Sequence, residues 1–138
     1  TLLIFLLSSG LSNADSVTPA GKWNFTLYES SVTGMCPMGN DGSGSLKISS
    51  KGGGVYTLSY IQGMTCKPKD VCVLKGKCNG ETCVFSTRVR VDSEGGTVLN
   101  SAELRFDQVS AQGLGKSVYS HPSGMKCTWS YLLTLSRK

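Results

Sequence analysis

From Cys127 onward the chain alternates, with Cys127, Trp129, Tyr131, Leu133 and Leu135 on one parity and Thr128, Ser130, Thr134 and Ser136 on the other. Successive side chains of an extended chain point to opposite faces, so this stretch is a β-strand with one buried face, not an amphipathic helix. Arg137 falls on the apolar parity, where the strand should be leaving the core. An inward guanidinium needs a partner. The best one is Trp23 in Gly21-Lys22-Trp23, because guanidinium groups stack on indole faces. The first and last strands are therefore expected to lie side by side.

Seven further strand-like segments precede the last: Lys22–Glu29, Ser45–Ser50, Val55–Ile61, Val71–Cys78, Cys83–Asp92, Val98–Val109 and Lys116–His121. Between them stand turn formers such as Gly52-Gly53-Gly54, Asn79-Gly80, Gly95-Gly96 and Gly113-Leu114-Gly115. Short links favour antiparallel neighbours, and eight such strands close most simply into an up-and-down β-barrel without exposed edges. The predicted fold class is all-β, an eight-stranded antiparallel up-and-down barrel with disulfide-stapled loops. Alternation assigns Trp23, Phe25, Leu27, Leu46, Ile48, Phe85, Ala102, Leu104 and Phe106 to the interior. On the third segment the row Tyr56, Leu58, Tyr60 is taken as the inner one.

A Gly-x-Trp opening the first strand, with an Arg of the last strand across that Trp, resembles the signature of the calycins: lipocalins, fatty-acid-binding proteins and avidins. Gly21, Trp23 and Arg137 carry the resemblance. It implies a barrel closed at the Trp23–Arg137 end and a ligand taken at the other.

Residues 1–14 read as the tail of a secretory signal peptide, a short apolar run followed by Ser12 and Ala14 at cleavage spacing. Leu2 to Leu7 is too short to span a bilayer. One domain over residues 15–138 is expected, secreted or periplasmic. All six cysteines lie within it, and an even number in an exported chain implies disulfides. The expected pairs are Cys36–Cys127, joining neighbouring strands at the mouth; Cys66–Cys72, clipping a loop; and Cys78–Cys83, across a hairpin.

In an up-and-down barrel the odd-numbered links share one end. Three of them carry Gly34-Met35-Cys36, Gly63-Met64-Thr65-Cys66 and Gly124-Met125-Lys126-Cys127, which places a methionine-rich rim at the mouth. Met35, Met64 and Met125 with the inner aromatics Tyr56, Tyr60, Trp129 and Tyr131 are the candidate ligand-binding set, if the interior is a pocket and not simply filled. Methionine thioethers with His121 would suit Cu(I), but no spacing matches a metal motif, so neither metal nor cofactor is expected. His121 is the only histidine. With Ser120 and Ser123 beside it and no carboxylate indicated to orient it, no catalytic residue is assigned and the protein is read as a non-enzyme.

The net charge of +5 and a predicted basic wall of Lys67, Lys69, Lys75, Lys77, Arg88 and Arg90 favour acidic partners. Interleaved outward aromatics are lacking, which argues against nucleic acid. Asn24-Phe25-Thr26 is a glycosylation sequon. Two functions follow as expectations. One is a secreted protein that binds a small apolar or aromatic ligand at the mouth. The other is a protein-interaction module, resembling a protease inhibitor or a factor directed at a host or rival, which presents its mouth loops and basic wall to an acidic protein.

Overall fold

Period-two alternation becomes eight strands in the computed structural model, which describes residues 17–138: β1 Gly21–Thr33, β2 Gly42–Gly52, β3 Val55–Gln62, β4 Val73–Asn79, β5 Thr82–Arg90, β6 Thr97–Phe106, β7 Ser110–Ser120 and β8 Lys126–Arg137. The signal-peptide reading falls on residues outside this range. Each strand pairs antiparallel with the next, and β8 returns to β1 to close the barrel. The closing pair runs from Trp23 opposite Arg137 to Thr33 opposite Thr128, with a register shift between Glu29 and Ser31.

Several boundaries differ from expectation: β1 runs on to Thr33 and β2 starts at Gly42, and two further differences change the links. The sixth link is Asp107-Gln108-Val109, and Gly113-Leu114-Gly115 lies inside β7 instead of forming a turn. Asp107 closes the true turn, its carboxylate accepting the backbone N–H of Val109 (2.8 Å) and of Ser110 (2.7 Å). These bonds hold the Asp107 carboxyl below its ordinary range. Gly113 is needed for another reason, since a Cβ there would strike the carbonyl oxygen of Glu103 on the neighbouring strand. The second difference is at Lys69–Cys72, a single 3-10 turn, so that β4 starts at Val73 and not at Val71.

The core fills the lower barrel. Trp23, Phe25, Leu46, Ile48, Leu58, Leu74, Phe85, Leu104, Phe106 and Leu133 are almost wholly buried. Trp23 meets Phe106 edge-on at 5.4 Å between ring centres, and Phe25 meets Tyr60 likewise at 5.1 Å.

Wall height is uneven: β1 has 13 residues and β8 has 12, against 8 in β3 and 7 in β4. The short side is topped by the third link, residues 63–72, which the Cys66–Cys72 bridge and the 3-10 turn fold into a compact cap.

Candidate functional site

The two ends of the barrel are built differently, and this decides where a ligand has room. At the closed end the Arg137 guanidinium lies 4.1 Å from the centre of the Trp23 ring. It donates to the carbonyl oxygens of Thr18 (2.9 Å), Ala20 (2.9 Å) and Gln108 (3.0 Å). The indole N–H of Trp23 donates to the Pro19 carbonyl at 2.9 Å. Gly21 has φ 137°, and a Cβ there would stand 2.7 Å from the guanidinium, so both backbone and space demand glycine. Residues 17–20 thus lie across the base, and that end is sealed.

At the mouth a cavity of about 340 Å³ opens beside the third link and the start of the fifth. Leu27, Leu74, Val91 and Val98 form its apolar wall, and Met64, Thr65, Lys67 and Val71 of the third link its rim. Tyr60 and Tyr131 also line it. Burial, and then the neighbouring Tyr131, push the Tyr60 hydroxyl up to about 12. Burial, then Glu29, raise that of Tyr131. Both phenols are therefore donors at neutral pH.

Asn100 stands among them as a structural post. Its amide N–H donates to the Val71 carbonyl at 2.7 Å, which ties the cap to β6, and its oxygen accepts the Ser117 hydroxyl at 2.7 Å.

The first link is held over the opposite side of the mouth. Cys36 is bridged to Cys127, the Trp129 indole N–H donates to the Pro37 carbonyl at 3.0 Å, and the Gly39 N–H donates to Glu29 at 2.8 Å. The fifth and seventh links are joined through His121. The Ser123 N–H donates to Nδ1 at 3.1 Å, which leaves Nε2 to donate to Glu94 at 2.8 Å. Ser123 Oγ also lies 2.8 Å from Nδ1. Glu94 is thus an acidic partner for His121 that nothing in the sequence indicated. Since one Nδ1 lone pair already accepts the Ser123 N–H, this trio serves as a loop clasp. Nearby, Asp92 accepts the N–H groups of Gly96 (2.7 Å) and Glu94 (3.0 Å) and the Tyr119 hydroxyl (2.8 Å). These bonds, that of Gly96 first, hold the Asp92 carboxyl below its ordinary range and raise the Tyr119 phenol.

Of the candidate ligand set, Tyr60, Tyr131 and Met64 come together in the cavity. Tyr56 lies elsewhere, half-buried against the core opposite Gly76 and toward the closed end. Trp129 is a strut for the first link. Met35 is fully exposed at 101 %, and Met38 and Met125 are exposed as well. All six cysteines form the three expected bridges, Cys36–Cys127, Cys66–Cys72 and Cys78–Cys83, with Cα separations of 5.9, 5.6 and 4.0 Å. No thiol is left to bind metal. Among the described residues no cluster of three or more His, Cys, Asp or Glu is placed to hold a metal ion.

The basic residues divide. Lys75 and Lys77 stand opposite Ser86 and Val84 along an outer depression of about 920 Å³ that Glu103 also borders. It is larger than the mouth cavity but open along its side, so it encloses little of a small molecule. Arg88 is opposite Leu99 on the outer face. Arg90 donates to the carbonyls of Asp92 (3.3 Å) and Ser93 (3.2 Å), Lys69 begins the 3-10 turn, and Lys67 lines the mouth cavity. Lys67, Val71, Asn100 and Ser117 are the site residues that sequence reasoning missed or placed elsewhere.

The barrel is compatible with a calycin-like fold. Compared with known proteins, the chain matches no family model, no curated protein and no solved structure. Among the described residues no helix is long and apolar enough to cross a membrane. Three disulfides are the mark of an oxidising environment.

Proposed function

We propose that this chain is a secreted, non-enzymatic binding protein of calycin type that takes a small apolar or aromatic molecule into the mouth cavity. The supporting observation is the cavity of about 340 Å³ over a filled core, apolar in its walls and carrying a few polar groups at one side. That is the usual composition of a small-molecule site.

Gly115 gives a clean test. It lines the cavity, and a Cβ there would make ordinary contacts, 3.6 Å from the Ser101 carbonyl oxygen and 3.8 Å from Tyr131 Cβ. Gly115→Leu is expected to keep the melting temperature and to abolish the fluorescence gain of N-phenyl-1-naphthylamine. Full binding by that variant would remove the cavity as the site.

The second reading, an interaction module, is favoured by Met35 and Met38, which stand exposed on a first link anchored by the Cys36–Cys127 bridge. An acidic protein that binds this surface would lose affinity in Met35→Glu and Met38→Glu and be indifferent to Gly115→Leu.

A further inference from the structure

Resting on the cavity reading above, we propose that the bound molecule is a small, flat monoanion, a carboxylate on an aromatic body of one or two rings, its carboxylate held by the Tyr60 and Tyr131 hydroxyls and the Lys67 ammonium. The size follows from the volume. About 340 Å³ is the share of roughly ten water molecules, which suits one or two rings and little more.

The sign follows from the lining. Its lining holds Lys67 of the cap and no carboxylate; Lys116 borders it through its backbone, since it is exposed and alternates with the inward Gly115. A cationic ligand would meet the Lys67 ammonium, whereas an anion gains from it. The donors follow from the hydrogen bonds. Asn100 is fixed on Val71 and Ser117, and the Ser117 hydroxyl donates to it, which leaves one Asn100 N–H as a secondary donor. The two phenols are different, because their upward shifts arise from burial and neighbouring charge, with no hydrogen bond to the protein contributing. No buried side-chain oxygen among the described residues is left without a partner, so these hydroxyls are open to the cavity, where a ligand oxygen can accept from them.

Glu29 is an opposing charge nearby. It acts on Tyr131 but is engaged by the Gly39 N–H and does not line the cavity. It biases the carboxylate toward Tyr60 and Lys67. The ring body then lies against Leu27, Leu74, Val91 and Val98.

The test is a matched pair of probes on the intact protein, 2-naphthoate and its methyl ester, titrated by calorimetry. The acid is expected to bind at least about tenfold more tightly than the ester, the size of one charge-assisted hydrogen bond. Tyr60→Phe and Lys67→Gln should each lower affinity for the acid by about tenfold and leave the ester within about twofold, with melting temperatures unchanged. Equal binding of acid and ester, or equal losses for both in Tyr60→Phe, would overturn the anion assignment while leaving the cavity in place. Binding of neither probe would overturn the cavity reading and this inference together.

Discussion

At the closed end the polar side chains are turned onto the backbone over a sealed base, and at the mouth two phenols are left lining a cavity. Arg137 places its donors on three backbone carbonyls and its face on Trp23, and the indole N–H is matched by Pro19. For Tyr60 and Tyr131, in the same barrel, burial and neighbouring charge set the hydroxyls, with no contribution from a hydrogen bond to a described residue. Two of the three disulfides, Cys36–Cys127 and Cys66–Cys72, sit at the mouth. The lesson is that one barrel divides its work. Packing and backbone bonds hold the base, while the rim is held by two covalent clips together with side-chain bonds at Asn100, Trp129, Asp92 and His121.

Removing the clip that spans the seam should have the largest effect. Cys36 and Cys127 are separated by 91 residues, and the Cys36→Ser/Cys127→Ser double variant is expected to lose about 4–5 kcal/mol in urea denaturation, against about 2 kcal/mol for the Cys66/Cys72 pair with its separation of 6. Equal losses would show that the mouth bridges do not act by restricting the unfolded chain.

Next comes the base. Trp23→Ala is expected to cost about 3–5 kcal/mol, because it removes a fully buried ring and strips Arg137 of its stacking partner. If the folded fraction still binds 2-naphthoate normally, the two ends are independent.

High pH separates them further. Tyr60 titrates from 10.0 in the unfolded chain to about 12 in the folded one. Between those values the unfolded state loses the proton first, so stability should fall as pH rises from 10, by on the order of 2 kcal/mol. Tyr60→Phe should flatten that fall, and a slope that survives the substitution would place the alkaline sensitivity elsewhere.

The smallest effect belongs to Trp129→Phe, which keeps a ring but loses the bond to Pro37. A loss of about 1 kcal/mol is expected, with faster hydrogen exchange at Gly39. Unchanged exchange there would mean that the disulfide alone positions the first link.

Alternation made the inner rows of β1, β3, β5 and β8 legible, because one face is buried and a shift of one residue would expose it. The Trp23–Arg137 contact and the Cys36–Cys127 bridge were legible for a related reason, since closure brings the first and last strands together, and the other two bridges were legible from their short spacing within one link or hairpin. The β6–β7 turn was not. Glycine signals either a turn or a close backbone approach, and Gly113 proved to be the second, while Asp107 carried the turn through a side-chain bond that composition does not reveal. The site was legible where it lies on strands, at Tyr60 and Tyr131. It was hidden where it depends on how a link folds back. Lys67 looked like surface until the Cys66–Cys72 cap turned it over the cavity, and the Glu94–His121 bond joins two links whose approach no local pattern announces.

The seam also fixes how the molecule would sit on a support. The Lys138 amide donates to the Lys22 carbonyl at 3.0 Å, beside Arg137 and the segment at 17–20, at the end of the barrel away from the cavity. A tether attached after Lys138 would therefore leave from the base. Protein captured on a sensor surface through that tether would stand upright with its mouth toward the solution, whereas coupling through the lysines would lay some copies on their sides. The capture chemistry then decides what fraction of an immobilised sample can take up a ligand.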